Sequence, residues 1–231
     1  MSILSARSIY KFTISLLFCL IIHSLQAQTD KKQPEKDKVK LLNSITVQAD
    51  LASIVISSLG GDSYSLEGGV QVDLKHKYFP IVELGFAGAN KVSVDDIGFK
   101  TSALFGRLGV DINLLSTKKD SKPTNNQFLA GIRLGMSNFE YDITNVVITD
   151  DYWGGSETVI YNKIPATKIW YEIVAGVRVE VFKNIFMGWT IRNRILISQD
   201  VTGAVAPWFI PGYGINTSTN WGINYTLGYR F

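Results

Sequence analysis

Acidic and basic side chains recur at every second position along much of this chain, and both signs share one face. The acids are Asp50, Glu67, Asp73, Glu83, Asp111, Glu172 and Glu180, and the bases are Lys75, Arg107, Arg133, Arg178, Arg192, Arg194 and Arg230. A buried charge must be paired, so seven acids matched by seven bases fit a packed polar interior. The bases are almost all Arg, whose planar fork suits buried bidentate pairing, whereas Lys collects in loops and in residues 28–40.

Other chemistry finds little support. The chain has two histidines, His23 and His76, and one cysteine, Cys19. His76 falls at an expected turn and reads as a solvated residue without a partner motif. The sequence holds no P-loop, zinc motif, His/Cys cluster or G-x-S-x-G, so no catalytic residue, metal or cofactor is expected. Asp150 and Asp151 are two carboxylates without EF-hand spacing. With Tyr152 and Trp153, and with Trp208, Phe209 and Tyr213 further on, they are candidates for surface binding, since exposed loop aromatics can anchor a partner. Aromatics in such loops also pack over a barrel mouth or enter lipid headgroups.

The elements that position these residues are strands. Strand side chains alternate faces with period two. Alternating segments run over about 44–57, 64–75, 79–90, 100–114, 127–140, 166–182 and 185–197. The last is Trp221–Phe231, where Trp221, Ile223, Tyr225, Leu227, Tyr229 and Phe231 oppose Gly222, Asn224, Thr226, Gly228 and Arg230. Helical periodicity is absent after the N-terminal apolar run. Eight segments put both ends on one side. The connections 76–78, 115–126 and 183–184 are short or polar, while 141–165 and 198–217 are long. Short turns on one rim and long loops on the other suit an outer-membrane barrel. A soluble lipocalin-like barrel, apolar inside and charged outside, has the same alternation. The matched, Arg-rich polar face favours lipid outside. So do the aromatics near strand ends, Tyr78, Phe79, Trp170, Tyr171, Tyr229 and Phe231, which suit interfacial girdles. The fold class is therefore all-β, an eight-stranded antiparallel up-and-down transmembrane β-barrel.

The N-terminus reads as an export signal. Arg7 and Lys11 precede an apolar run from Phe12 to Ile22, and Leu25-Gln26-Ala27 offers a cleavage site with Gln28 as the mature start. That run is short of the roughly 20 residues a helical span needs. Residues 28–40 read as a disordered periplasmic tail, and 41–231 as the barrel. The whole chain carries 23 basic and 20 acidic residues; losing Arg7 and Lys11 with the signal leaves a net charge of +1. This is no nucleic-acid footprint. With Cys19 also lost, the mature chain has no thiol for a disulfide or a thiolate metal site.

Signal, short basic tail, alternating strands and the ending Tyr229-Arg230-Phe231 resemble the small OmpA/OmpX-type outer-membrane barrels. Tyr78-Phe79-Pro80-Ile81-Val82-Glu83-Leu84-Gly85-Phe86 also looks like a segment of an uncharacterised barrel family of the Bacteroidota. The resemblance implies an outer-membrane location with both termini periplasmic, and outer-membrane lipid as the surroundings. It also implies a terminal aromatic signal (Tyr229, Phe231) read by the barrel-assembly machinery, with periplasmic chaperones as partners during biogenesis. Barrel enzymes place a His at the outer half of the barrel, and His76 is expected at the opposite rim. The expected role is thus non-enzymatic: envelope structure, or surface binding or adhesion through 141–165 and 198–217. A narrow porin-like channel for ions or small solutes is the alternative.

Overall fold

The computed structural model describes residues 41–58, 61–115, 125–149, 154–197 and 205–231. The expected signal, the 28–40 tail and residues 150–153 lie outside these. In chain order the elements are β1 (Leu42–Asp50), α1 (Leu51–Ser58), β2 (Ser63–Leu74), β3 (Tyr78–Val92) and β4 (Gly98–Asn113). There follow β5 (Gln127–Thr149), β6 (Ser156–Phe182), β7 (Ile185–Leu196), β8 (Phe209–Ile210), β9 (Gly214–Ile215) and β10 (Thr219–Arg230). Eight strands close a barrel in the order β1-β10-β7-β6-β5-β4-β3-β2, every neighbour antiparallel, with β8 and β9 forming a separate small hairpin.

The alternation decides which face is which. Even positions of β10, and of β6 from Ala166 onward, point inward and odd positions outward. The outer wall is apolar: Leu104 is 72% exposed, Trp221 69% and Leu84 67%. The charges turn inward, with Glu83, Arg107, Asp111, Glu172 and Arg192 all buried. This is the reverse of a soluble barrel. Tyr78, Tyr171, Tyr229 and Phe231 stand on the outside, but Phe79 and Trp170, expected in the same girdles, fill the interior instead.

One rim carries the start of β1, the ends of β4 and β10, the start of β5 and the turns at 75–77 and 183–184. The β2–β3 turn is tight because Lys75 and His76 both take positive φ (55° and 54°), and the Lys77 N–H donates to Leu74 O at 3.1 Å. That is the mirror-image turn whose twist matches its strands. On the other rim the expected long loop 141–165 is largely strand. β5 and β6 continue pairing out to Thr149 and Ser156, leaving 150–155 as the connection.

The first strand differs from expectation. The alternation predicts a strand to residue 57, yet it ends at Asp50 and the chain turns into α1. The Asp50 carboxylate is the reason. It accepts the Ala52 N–H at 3.1 Å and the Ser53 hydroxyl, capping the helix N-terminus. It also accepts Asn224 Nδ2 at 2.6 Å and the Tyr225 N–H at 3.0 Å, binding the helix start to β10. Sequence pattern here favours a strand, since Ile54, Val55 and Ile56 are β-branched, and a side-chain cap overrides it.

Asp50→Ala removes the acceptor of four donors. It should lower barrel stability by about 2–4 kcal/mol, read from urea unfolding in detergent micelles. An unchanged midpoint would show that the cap does not hold α1.

Candidate functional site

Buried charged side chains of both signs converge in the lumen. At mid-height β2, β3, β4, β6 and β7 each send one or two side chains to a common point. Arg107 Nη1 donates to Glu67 Oε2 at 2.8 Å, and its Nε lies 2.8 Å from Glu172 Oε1. Arg192 grips Glu83 with both ends of its fork, at 2.7 and 3.0 Å, and reaches Glu172 at 3.3 Å. Arg107 also touches Glu83 at 3.4 Å. Each glutamate therefore serves two or three arginines. Towards the turn rim, Arg133 holds Asp111 bidentately at 2.7 and 2.8 Å. Gly131 makes room for that pair, since a Cβ there would collide with Asp111 Oδ1.

The remaining residues expected in this network lie elsewhere. Asp50 is buried but caps α1. Arg194 stands at the network's upper edge, its Nε 3.6 Å from Glu172 Oε1. Arg178 is buried among amides rather than carboxylates: it donates to Gln71, to Gln127 at 3.2 Å and to Gln48 at 2.9 Å. Asp73 sits at the turn rim. There it accepts the His76 N–H at 2.7 Å and meets its ring Nδ1 at 2.7 Å. His76 is 68% exposed, as a turn residue should be, yet it has a partner that sequence reasoning did not give it. Glu180 and Arg230 lie at the same rim near Asn125, with the Arg230 guanidinium over the Phe186 ring at 3.9 Å. Lys75 is an exposed turn residue.

Sequence reasoning counted only charges on this face and so missed the neutral members. Gln71 Nε2 donates to Asp111 Oδ2 at 2.7 Å, Asn224 Nδ2 to Glu67 Oε1 at 2.7 Å, and Trp170 Nε1 to Glu172 Oε1 at 2.8 Å. The signal was present: all three share the period-two phase of the charges.

Above the network the interior is apolar, with Phe99, Phe105, Phe139, Tyr141 and Trp170 packed together. Into this space folds the segment expected as a long exposed loop. Ile210-Pro211-Gly212-Tyr213 forms a type II turn, with the Tyr213 N–H donating to Ile210 O at 3.0 Å and Gly212 at φ 80°. Ile210 and Tyr213 are fully buried and Phe209 is 9% exposed, so Phe209 and Tyr213 are not exposed binding side chains. Trp208 is half-buried and stacks on Phe99 at 5.5 Å. Asp150, Asp151, Tyr152 and Trp153 lie outside the described residues. The network holds the turn in place: Arg107 Nη2 donates to Gly212 O at 2.7 Å and Arg194 Nη1 to Tyr213 O at 3.0 Å. Burial raises the Tyr213 phenol above its ordinary pKa. The dipeptide Pro-Gly is the sequence signal that could have marked the turn.

Among the described residues no group of His, Cys, Asp or Glu could hold a metal ion. Residues 9–231 match the family described as Domain of unknown function (DUF6048). The chain belongs to DUF6048. No curated protein matches it. Among solved structures, the N-terminal β-barrel domain of Pseudomonas aeruginosa OprF is similar at 12% identity and a TM-score of 0.34, over 82% of this chain and 98% of that one. Neisserial surface protein A (NspA) is similar at 13% identity and a TM-score of 0.37, over 81% of this chain and 94% of that one. At these values nothing about this chain's work follows from either.

Two substitutions probe the DUF6048 lumen. Glu83→Gln strips one carboxylate from Arg192, Arg107 and Arg133 and should cost about 3–5 kcal/mol in urea unfolding. A cost under about 1 kcal/mol would show that the arginines find other partners. Gly212→Ala drives a Cβ into the Phe105 ring at a positive φ. It should unseat the turn and make residues 205–217 protease-sensitive while the barrel stays folded. Unchanged resistance would show that the turn is not what fills the mouth.

Proposed function

We propose that this protein is a non-enzymatic outer-membrane β-barrel with a lumen closed to solutes, which works at the cell surface through its β5–β6 hairpin. The observation that carries the membrane reading is the reversed wall, with Leu, Ile and Trp outside and Arg–Glu pairs within. Within the wall itself the described strands pair on both sides except between β2 and β10 beyond Asp50, which suits hydrocarbon surroundings. Short turns mark the periplasmic rim, where both barrel ends lie, and the long hairpin marks the outer one. Outer-membrane lipid then surrounds the wall. An export signal over 1–27 and a terminal aromatic at Tyr229 and Phe231 would serve secretion, chaperones and the assembly machinery.

Surface binding is supported by how far β5 and β6 outlast their neighbours. β4 stops pairing with β5 at Gly98↔Thr144, and β7 stops pairing with β6 at Leu196↔Trp170. Beyond Thr144 no other strand flanks the hairpin, and it exposes Val147, Ile148 and Ile160. Exposed apolar side chains on a projecting hairpin are contact surface.

Three measurements test this. Isolated outer membranes should contain the protein in a form that shifts mobility on boiling in SDS, and a soluble protein without a shift would sink the reading. Cysteine at Ile148 should label with an impermeant maleimide on intact cells, and cysteine at Lys77 should not; the opposite pattern would invert the orientation. Planar bilayers should show no steady conductance. A stable current would replace the closed lumen by the porin-like alternative.

A further inference from the structure

Among the described residues the strand ladder of the wall has one gap. β1 pairs with β10 only over Thr46–Asp50 and Thr226–Arg230, and with β2 no further than Ala49↔Gly68. Beyond Asp50 the chain leaves the ladder as α1, which packs against both β2 and β10 and covers part of the break between them. Strand β10 continues to Thr219 and β2 begins at Ser63, so the upper halves of both strands have no strand opposite them on that side. The Tyr225 N–H uses this edge to reach Asp50, and period-two alternation puts the N–H groups of Ile223 and Trp221 on the same edge. At membrane depth such an edge is tolerated only where protein covers it or where it lines a cavity.

A cavity is there, of about 360 Å³, within the range of small-ligand pockets. Its lining places it at this break. Tyr64, Trp221 and Ile223 belong to the outer face of the wall, while Arg107, Arg194 and Phe209 belong to the inner one. In a hydrogen-bonded wall the backbone separates these two sets. A cavity lined by residues of both sets, with Ser53 of α1 among them, lies at the break in that ladder.

Its polar end has spare donor capacity. Arg107 gives Nη1 to Glu67 and Nη2 to Gly212 O, and its Nε lies 2.8 Å from Glu172 Oε1. Glu67 in turn is held by Arg107 and Asn224. Arg194 differs: it makes one described hydrogen bond, from Nη1 to Tyr213 O, and none from Nη2, which lies against Gly222. Gly222 keeps the wall flat beneath it, because a Cβ there would come within 2.7 Å of Arg194 Nη2. The guanidinium thus lies on the cavity wall with donors to offer.

We infer that the gap between β2 and β10 is a lateral binding site for an anionic amphiphile. The charged end meets Arg194, and the chain leaves through the wall past Tyr64, Trp221 and Ile223 into the surrounding lipid. An arginine at the inner end and aromatic and aliphatic side chains at the outer end match the two parts of such a molecule. The anion could be a free fatty-acid carboxylate or the phosphate of a membrane lipid.

The site rests on the membrane reading above, and one set of samples separates the two. Full-length protein is purified in a neutral detergent and incubated with laurate, dilauroyl phosphatidic acid or lauryl alcohol. Native mass spectrometry then reads what stays bound, and the SDS heat shift confirms an intact barrel. One anionic probe should be retained at least tenfold more tightly than the alcohol. Preference for laurate identifies a free acid, and preference for phosphatidic acid identifies a membrane lipid. Arg194→Gln should lose about tenfold of that retention. Ser63→Trp, which fills the cavity from the end of β2 without touching the charge network, should abolish it. Equal retention of alcohol and anions, or equal retention by Arg194→Gln and Ser63→Trp, in a heat-shifting barrel removes the site and leaves the membrane reading standing. Loss of the heat shift in the unmodified protein removes both.

Discussion

Glu67, Glu83 and Glu172 meet Arg107 and Arg192 at a single level of the lumen, and no carboxylate there belongs to one arginine alone. An eight-stranded wall encloses little more than its own side chains. Alternation leaves the sequence no freedom: whatever makes the outside apolar sends every other residue inward. The inward set is polar at mid-height, so each member must find its partner inside or bear the cost of burial unpaired. Shared forks meet that demand in the least space, because one guanidinium presents five donors in a plane.

The mouth and the wall inherit their geometry from that level. Arg107 and Arg194 each direct one donor upward to a backbone carbonyl of the Ile210–Tyr213 turn, so the charged layer is also the seat of the apolar plug. Asn224 divides its amide between Glu67 and Asp50, which ties the same layer to the cap that ends β1. A change at mid-height therefore reaches the helix and the mouth through hydrogen bonds already drawn.

Much of the barrel could be read from the sequence because its code is local. A period of two needs no knowledge of neighbours, and it yields eight strands and the facing of nearly every charge. Some failures depend on a contact distant in sequence; others are local but need strand phase, turn type or a partner three residues away. The end of β1 is set by Asp50 meeting Asn224 and Tyr225, and nothing in Leu51–Ser58 announces a helix. Phe79 and Trp170 look like girdle residues until their strand phase places them inside. Phe209 and Tyr213 look like surface anchors until Pro211-Gly212 folds them back. His76 looks unpartnered as long as Asp73 is placed in the lumen, when it stands at the rim below.

The ladder between β1 and β10 is short beside the long pairing of β5 with β6, and it joins the first strand to the last. Closure of the cylinder is thus a separate event from building the sheet, and the least secured by backbone hydrogen bonds. A sheet complete from β2 round to β10 can exist with β1 still detached. The native molecule should breathe along this seam before anywhere else, with the amides of Thr46–Asp50 exchanging ahead of those in β4 or β5.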